Sequence, residues 1–131
     1  MGYQVTWEPN GVLKRLFGHV SDDDLMKSST IIQGDARFDD LRYEIIDFSE
    51  CLSHSVSDQA LMEIAAIDDA ASTAFRFGKV LHIAIVCEDA EILELAKQYA
   101  NYKFNVPNFG VFRDTKNARI WLAQSVSDQS A

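Results

Sequence analysis

Nucleophilic and basic side chains are concentrated between residues 49 and 57. The segment holds one cysteine, one histidine and four serines: Ser49, Cys51, Ser53, His54, Ser55 and Ser57. A serine beside a histidine can act as a nucleophile with its general base. However, the serines lack the glycines of a nucleophile elbow, and no acidic residue can be placed to orient His54. We therefore predict that the chain is not an enzyme.

Ser57 comes directly before a segment, residues 58–77, whose apolar side chains repeat at helical spacing. Free N–H groups at a helix N-terminus stabilise an anion, so Ser57 and the nearby Ser55 are candidate sites for phosphorylation or anion binding. The simpler interpretation is that Ser57 caps the helix, because serine is a preferred N-cap in any protein. The sequence leaves both interpretations open.

A second group of polar residues follows the predicted parallel strands. Ligands of open α/β sheets bind beyond the carboxyl ends of the strands. The candidate ligand site at these ends consists of Ser49, Cys51, His54, Cys87, Asp89 and Arg113. The two cysteines and three histidines of the chain are not spaced like the ligands of a zinc site, so we predict neither a metal nor a cofactor. Both cysteines are predicted to be free thiols.

Strands and helices alternate along the chain. Polar and apolar residues alternate over residues 3–8, and Asn10-Gly11 predicts a hairpin turn into a second strand. Ser21 and Asp24 have the spacing of a capping box at the start of a helix. The resulting order, β-β-α-β-α-β-α-β-α, predicts an α/β fold with a mixed, mostly parallel sheet flanked by helices.

The later strands are predicted at residues 43–48, 80–87 and 109–112. The second of these is almost continuously apolar, as expected of a strand covered on both faces. No internal repeat or linker divides the chain. We therefore predict a single domain over residues 1–124, followed by a polar tail at residues 125–131.

The charge balance excludes several classes of partner. The 131-residue chain has 20 acidic and 12 basic residues, a net charge of −8. An acidic domain is repelled by phosphate backbones and by anionic membranes, so we expect neither nucleic acid nor a membrane surface as a partner. No apolar run approaches the ~20 residues of a membrane helix. With no signal-peptide pattern at its start, the chain is expected to be cytoplasmic.

The order of these segments resembles a known family. The strand Ile45-Ile46-Asp47-Phe48-Ser49, between an opening hairpin and a long helix, is similar to STAS (sulfate transporter and anti-sigma-factor antagonist) domains. The C-terminal half resembles the bacterial SpoIIAA-like group in residues 79–86, in the alanine-rich helix through Ala100, and in Val111-Phe112-Arg113-Asp114 followed by Ala118 and Trp121. The resemblance covers residues 5–123 and implies a SpoIIAA-like fold.

The resemblance also implies a way of acting. Typical STAS antagonists bind a protein partner and are switched by phosphorylation of a serine at the start of the helix that follows this strand. The family pattern there is similar to Asp-Ser-Ser/Thr-Gly. This chain has Ser53-His54-Ser55-Val56-Ser57-Asp58, without the preceding acid and without the glycine.

The predicted helix at residues 58–77 is apolar nearly all round. Beyond its core stripe of Leu61, Ile64, Ile67 and Ala71, it carries a second set of apolar residues: Met62, Ala65, Ala66, Ala70 and Phe77. This second set is a candidate interface with a protein partner or with a second copy of the chain. The chain is thus predicted to be a non-catalytic interaction or regulatory module. The alternative is a protein that binds a small apolar ligand between sheet and helices.

Overall fold

The computed structural model describes residues 2–75, 80–102 and 108–130. In chain order its elements are strand β1 (Tyr3–Glu8), strand β2 (Gly11–Ser21), helix α1 (Asp22–Gln33), a 3-10 helix (Ala36–Asp40), strand β3 (Tyr43–Ser55), helix α2 (Asp58–Phe75), strand β4 (His82–Val86), helix α3 (Ala90–Tyr102), strand β5 (Asn108–Phe112) and helix α4 (Thr115–Ser130). The strands form one sheet in the order β1-β2-β3-β4-β5, antiparallel between β1 and β2 and parallel elsewhere. The predicted mixed, mostly parallel α/β fold is confirmed.

The opening hairpin forms, but its two-residue turn is Pro9-Asn10, one residue earlier than the predicted Asn10-Gly11. Glu8 pairs with Gly11 across a two-residue turn, and Asn10 adopts a left-handed conformation with φ of 67°. Gly11 lets the Tyr43 ring pack directly against the backbone, because a Cβ atom there would lie 2.1 Å from that ring. The turn therefore sets the register of β1 and β2 and seats the start of β3 against them.

The sheet is covered differently on its two faces. Helices α1, α2 and α3 cover one face, where Leu16, Ile46 and Ile85 belong to the largest cluster of buried side chains. Helix α4 covers part of the other face, where Ala118 and Leu122 pack against β3 and β4. None of the helices in the described part of the chain has the length and apolarity that crossing a bilayer requires.

Strand β3 is longer than its sequence predicts. The predicted strand ends at residue 48, but β3 continues to Ser55 by pairing with β2 as far as Ser21. Its pairing with β4 ends earlier, at Asp47 and Val86. The polar residues after position 48 remain in strand conformation because pairing with β2 on one side is enough to hold them. Two register irregularities, each adding a residue to β3, interrupt this pairing.

Helix α4 runs to Ser130 and so includes residues 125–130 of the predicted polar tail. No glycine or proline follows Leu122 to stop the helix. Asp114 begins it, since the Asn117 amide donates to Asp114 Oδ1 at 2.8 Å. The side chain of Arg119 on this helix reaches back to the hairpin.

Glu8 joins the hairpin to α4. Its carboxylate accepts two hydrogen bonds from the Arg119 guanidinium, at 3.0 and 2.7 Å, and one from the Tyr43 hydroxyl. The Arg119 hydrogen bond lowers the pKa of Glu8 below its usual value of 4.5. Burial, with the neighbouring Glu8, raises the pKa of Tyr43 to about 12.

This contact is expected to make stability depend on acidity. Because the pKa of Glu8 is lower in the folded protein, the contact stabilises the fold above the unfolded-state pKa, and this stabilisation is lost as the pH falls through the folded-state pKa. Between about pH 6 and about pH 3, the urea midpoint of the wild type should therefore fall further than that of Arg119→Gln. If plots of urea midpoint against pH were parallel for the two proteins, the contact would contribute nothing to the pH dependence of stability.

Candidate functional site

Ser57 joins the N-terminal ends of two helices. Its Oγ accepts a hydrogen bond from the Ala60 amide at 3.1 Å, so the predicted N-cap of α2 is confirmed. The same hydroxyl donates to Asp22 Oδ2 at 2.9 Å, and the Ser57 amide donates to Asp22 Oδ1 at 2.7 Å. Asp22 is the first residue of α1. A carboxylate thus occupies the position where an anion at Ser57 would bind.

Ser55 belongs to a different hydrogen-bonded group. Its Oγ lies 3.0 Å from His19 Nε2, and Ser53 Oγ lies 2.8 Å from His19 Nδ1. All three side chains are exposed to solvent. His54, the histidine that sequence favoured as a partner for the serines, instead accepts a hydrogen bond from the Val56 amide at 3.2 Å. The pairing of β2 with β3 brings His19 to the serines, and no local sequence signal shows it.

A cleft lies beyond the carboxyl ends of β4 and β5, beside the middle of β3. It has a volume of ≈ 610 Å³ and is lined by Asp47, Phe48, Ser49, Cys51, Val86, Glu88, Asp89, Arg113, Asp114 and Thr115. We call it the acidic cleft, because four carboxylates and a single guanidinium line it. Of the six residues in the candidate ligand site, the structure brings Ser49, Cys51, Asp89 and Arg113 together here. It leaves Cys87 and His54 outside the lining.

Several carboxylates of the acidic cleft also hold the backbone in place. Asp47, only 7% exposed, accepts a hydrogen bond from the Ser49 amide at 2.9 Å. Asp89 accepts one from the Glu91 amide at 2.8 Å at the start of α3. Glu88 is exposed. Asp47 is absent from the predicted site because it belongs to the apolar strand and not to the loop after it.

Neither cysteine has the setting of a reactive thiol. Both are free, Cys87 buried and Cys51 half-buried. Burial, together with the charge of Asp89, raises the pKa of each thiol. A higher pKa lowers the thiolate fraction and with it the reactivity. Among the described residues, no three His, Cys, Asp or Glu side chains are grouped so that they could hold a metal ion.

The outward side of α2 carries four exposed apolar residues, with Glu63 exposed among them. Met62 and Ile67 are 47% and 42% exposed, and Ala66 and Ala70 are also exposed. We call these four residues the α2 outer face. Of the other residues in the candidate interface, Phe77 lies outside the described part of the chain. Ala65 is fully buried, so its assignment to an exposed face is wrong.

The placement of Ile67 in the core stripe is also wrong, for a geometric reason. Each three-residue step rotates a position by about 300° around a helix, so two steps from Leu61 to Ile67 move it about 120° away from the core side. Ala65, four residues after Leu61, stays within about 40° of it. The sheet and the neighbouring helices therefore bury Ala65 and leave Ile67 in solvent.

Among the described residues, the cavities between the sheet and helices α1 to α3 are small. The larger has a volume of ≈ 40 Å³ and is bordered by Lys14, Ser29, Asp68 and Tyr99 as well as by apolar side chains. Ligand pockets usually occupy about 300–1,000 Å³, whereas this space suits at most a water or two. Burial and the charge of Asp68 raise the pKa of Tyr99 well above its usual value. The cavity gives the apolar-ligand alternative no support.

Comparisons with known proteins agree with this architecture. No family model and no curated protein matches the sequence. The structure is similar to that of the anti-sigma factor antagonist SpoIIAA in its unphosphorylated form, with a TM-score of 0.60 at 11% identity over 92% of this chain and 97% of that one. It is also similar to an uncharacterised DUF3478 protein from Shewanella loihica PV-4, with a TM-score of 0.52 at 20% identity over 92% and 91% of the two chains. The chain therefore has the SpoIIAA-like fold.

Proposed function

We propose that this chain is a non-catalytic STAS-like interaction module that acts through a protein partner bound at the α2 outer face. The observation that carries the proposal is the contrast between the small cavities in the described interior and four exposed apolar residues on one helix face. Apolar surface left in water forgoes about 25 cal/mol for each Å² that a partner would bury. The likeness in fold to SpoIIAA, described as an anti-sigma factor antagonist, supports a regulatory role of this kind.

Charge favours a basic partner over a second copy of the chain. Helix α2 exposes the acidic residues Asp58 and Glu63 and has no basic residue between positions 58 and 75. An isologous dimer through α2 would bring two such helices together, and like charges at an interface cost binding energy. A partner with an apolar patch ringed by lysine and arginine would complement both the exposed side chains and the charge.

The proposal is tested by crosslinking followed by reconstitution. A photoreactive amino acid at Met62 should capture a partner in cells, and the same amino acid at Val111, which is exposed on β5, provides the control. The captured protein, once purified, should form a defined heteromeric complex with this chain. Equal capture from both positions, or no complex between the purified proteins, would overturn the proposal.

The proposed module includes a switch at Ser57. A phosphate on Ser57 Oγ would replace its hydrogen bond to Asp22 with repulsion between two anions. The contact that joins the N-terminal ends of α1 and α2 would then be lost. This loss would alter the surface at the N-terminal end of α2, next to the α2 outer face.

Phosphorylation of Ser57 should therefore speed hydrogen exchange in the first turns of α1 and α2, by roughly fivefold for a contact worth about 1 kcal/mol. The protein with phosphoserine incorporated at position 57 is compared with the unmodified protein. In an Asp22→Asn background the effect should shrink, because the amide does not repel the phosphate. Unchanged exchange in the modified protein would remove Ser57 as a switch.

A further inference from the structure

Strand β3 has one open side along half of its length. Its pairing with β4 ends at Asp47 and Val86, while β3 continues to Ser55 with β2 on its other side. Among the described residues, no strand pairs with the side that β4 leaves open. In a strand paired on one side, alternate backbone N–H and C=O groups point away from the neighbour and are available to another chain. Two backbone groups are exceptions, because the Ser49 amide donates to Asp47 and the Ser53 carbonyl accepts from the Cys51 thiol.

The open side of β3 leads directly into the acidic cleft. Phe48, Ser49 and Cys51 line the cleft from β3, opposite the residues that follow β4 and β5. A peptide added beside β3 would therefore run along the line that β4 vacates and pass between these walls. Leu52, next along the strand, is 86% exposed and would be covered by such a peptide.

The charges of the cleft select the occupant. Asp47, Glu88, Asp89 and Asp114 line it against Arg113 alone. A lysine or arginine side chain would be attracted there, whereas an acidic peptide or a second copy of this chain, with its net charge of −8, would be repelled. The register irregularities of β3 limit regular pairing to a few residues, which suits a short segment.

We propose that the open side of β3, from Phe48 to Ser55, binds an extended, lysine- or arginine-bearing segment of a protein partner, which adds as a strand and places its basic side chains in the acidic cleft. Backbone hydrogen bonds supply affinity in this mode of recognition, and side-chain pockets supply specificity. The surface is distinct from the α2 outer face, so the proposal holds or fails independently of the function proposed above.

The test uses an array of nine-residue peptides that alternate lysine or arginine with valine, isoleucine, leucine or phenylalanine. Members of the array should bind the full chain saturably in a fluorescence-anisotropy titration, and the best binder should shift the backbone amide NMR signals of residues 48–55. The same peptide with N-methylated backbone amides keeps its charge but loses its donors. It should bind at least about tenfold more weakly. Peptides with glutamate in place of lysine should not bind.

A pair of charge-reversal variants locates the basic side chains. Glu88→Lys, in the cleft, should weaken binding of the best peptide by roughly fivefold. Glu94→Lys makes the same change in net charge on an exposed position of α3 outside the cleft, and should change binding less than about twofold. Leu52→Ser, which leaves the net charge unchanged, should also weaken binding of the best peptide.

Four results would overturn the proposal. The first is that no peptide of the array binds. The second is that the N-methylated peptide binds as well as its parent, which would reduce the contact to charge attraction. The third is that the shifted amides lie outside residues 48–55. The fourth is that residues 48–55 are protected from exchange in a dimer of the free protein, in which case the occupant is a second copy.

Discussion

Replacing Ala66 with arginine is expected to weaken binding of the partner by about thirtyfold or more while leaving the fold intact. Ala66 is exposed near the middle of the α2 outer face, with Met62 and Ala70 one turn away on either side. Disrupting a hot-spot residue at the centre of an interface costs about 2 kcal/mol or more. The added positive charge would also face a partner that is predicted to be basic. The affinity is measured with the purified partner by titration calorimetry.

The matched control is Ala123→Arg on α4, where an exposed alanine on the opposite face of the sheet receives the same side chain. It should change neither the affinity nor the thermal midpoint. If Ala66→Arg bound the partner normally, the α2 outer face would not be the interface. If the wild type sedimented as a dimer and Ala66→Arg as a monomer, the occupant would be a second copy of the chain, against the argument from charge.

Those parts of the fold that depend on local chemistry follow from the sequence. The opening hairpin and the caps at Ser21 and Ser57 rest on backbone requirements that neighbouring residues satisfy, although the turn falls at Pro9-Asn10, one residue before the predicted position. The order of strands and helices then determines a mostly parallel sheet, because each crossover returns the chain in the same direction. The cleft beyond the strand ends is a consequence of that topology.

Features that depend on distant residues were not predictable in the same way. The length of β3 is determined by pairing with β2, whose matching residues lie more than 30 positions earlier. The contact of Asp22 with Ser57 and that of His19 with Ser55 arise from the same long-range register. On α2, the apolar residues are so numerous that spacing alone does not select the buried side. For this reason Ala65 was assigned to the exposed side and Ile67 to the core, the reverse of what the structure has.

Lys14 is a charged residue that is buried in strand β2. In a strand, residues two positions apart share a face, so Lys14 is in phase with Val12 and Leu16. All three are buried, and Lys14 is only 4% exposed. Its Nζ donates to Ser29 Oγ at 3.2 Å and lies 3.7 Å from Glu44 Oε1. A buried lysine is tolerated here because α1 and β3 supply its partners.

Replacing Lys14 with methionine is therefore expected to destabilise the protein by about 3 kcal/mol, although methionine matches the length of lysine. The change removes one partner of a buried ion pair and leaves the Glu44 carboxylate, 13% exposed, without its cation. The loss is measured as a shift of the urea midpoint at constant slope. The double variant Lys14→Met with Glu44→Gln should recover most of it, since the unpaired charge is then gone.

The adjacent Arg15 separates this effect from the general loss of a positive charge on β2. Arg15 points to the opposite face of the strand and pairs with Glu50 in an ion pair whose side chains are 37% and 60% exposed. Because solvent screens such a pair, Arg15→Met should cost less than about 1 kcal/mol. Equal losses at the two positions would mean that Lys14 stabilises the fold through net charge, whereas a small loss at both would mean that Glu44 reaches water once its partner is removed.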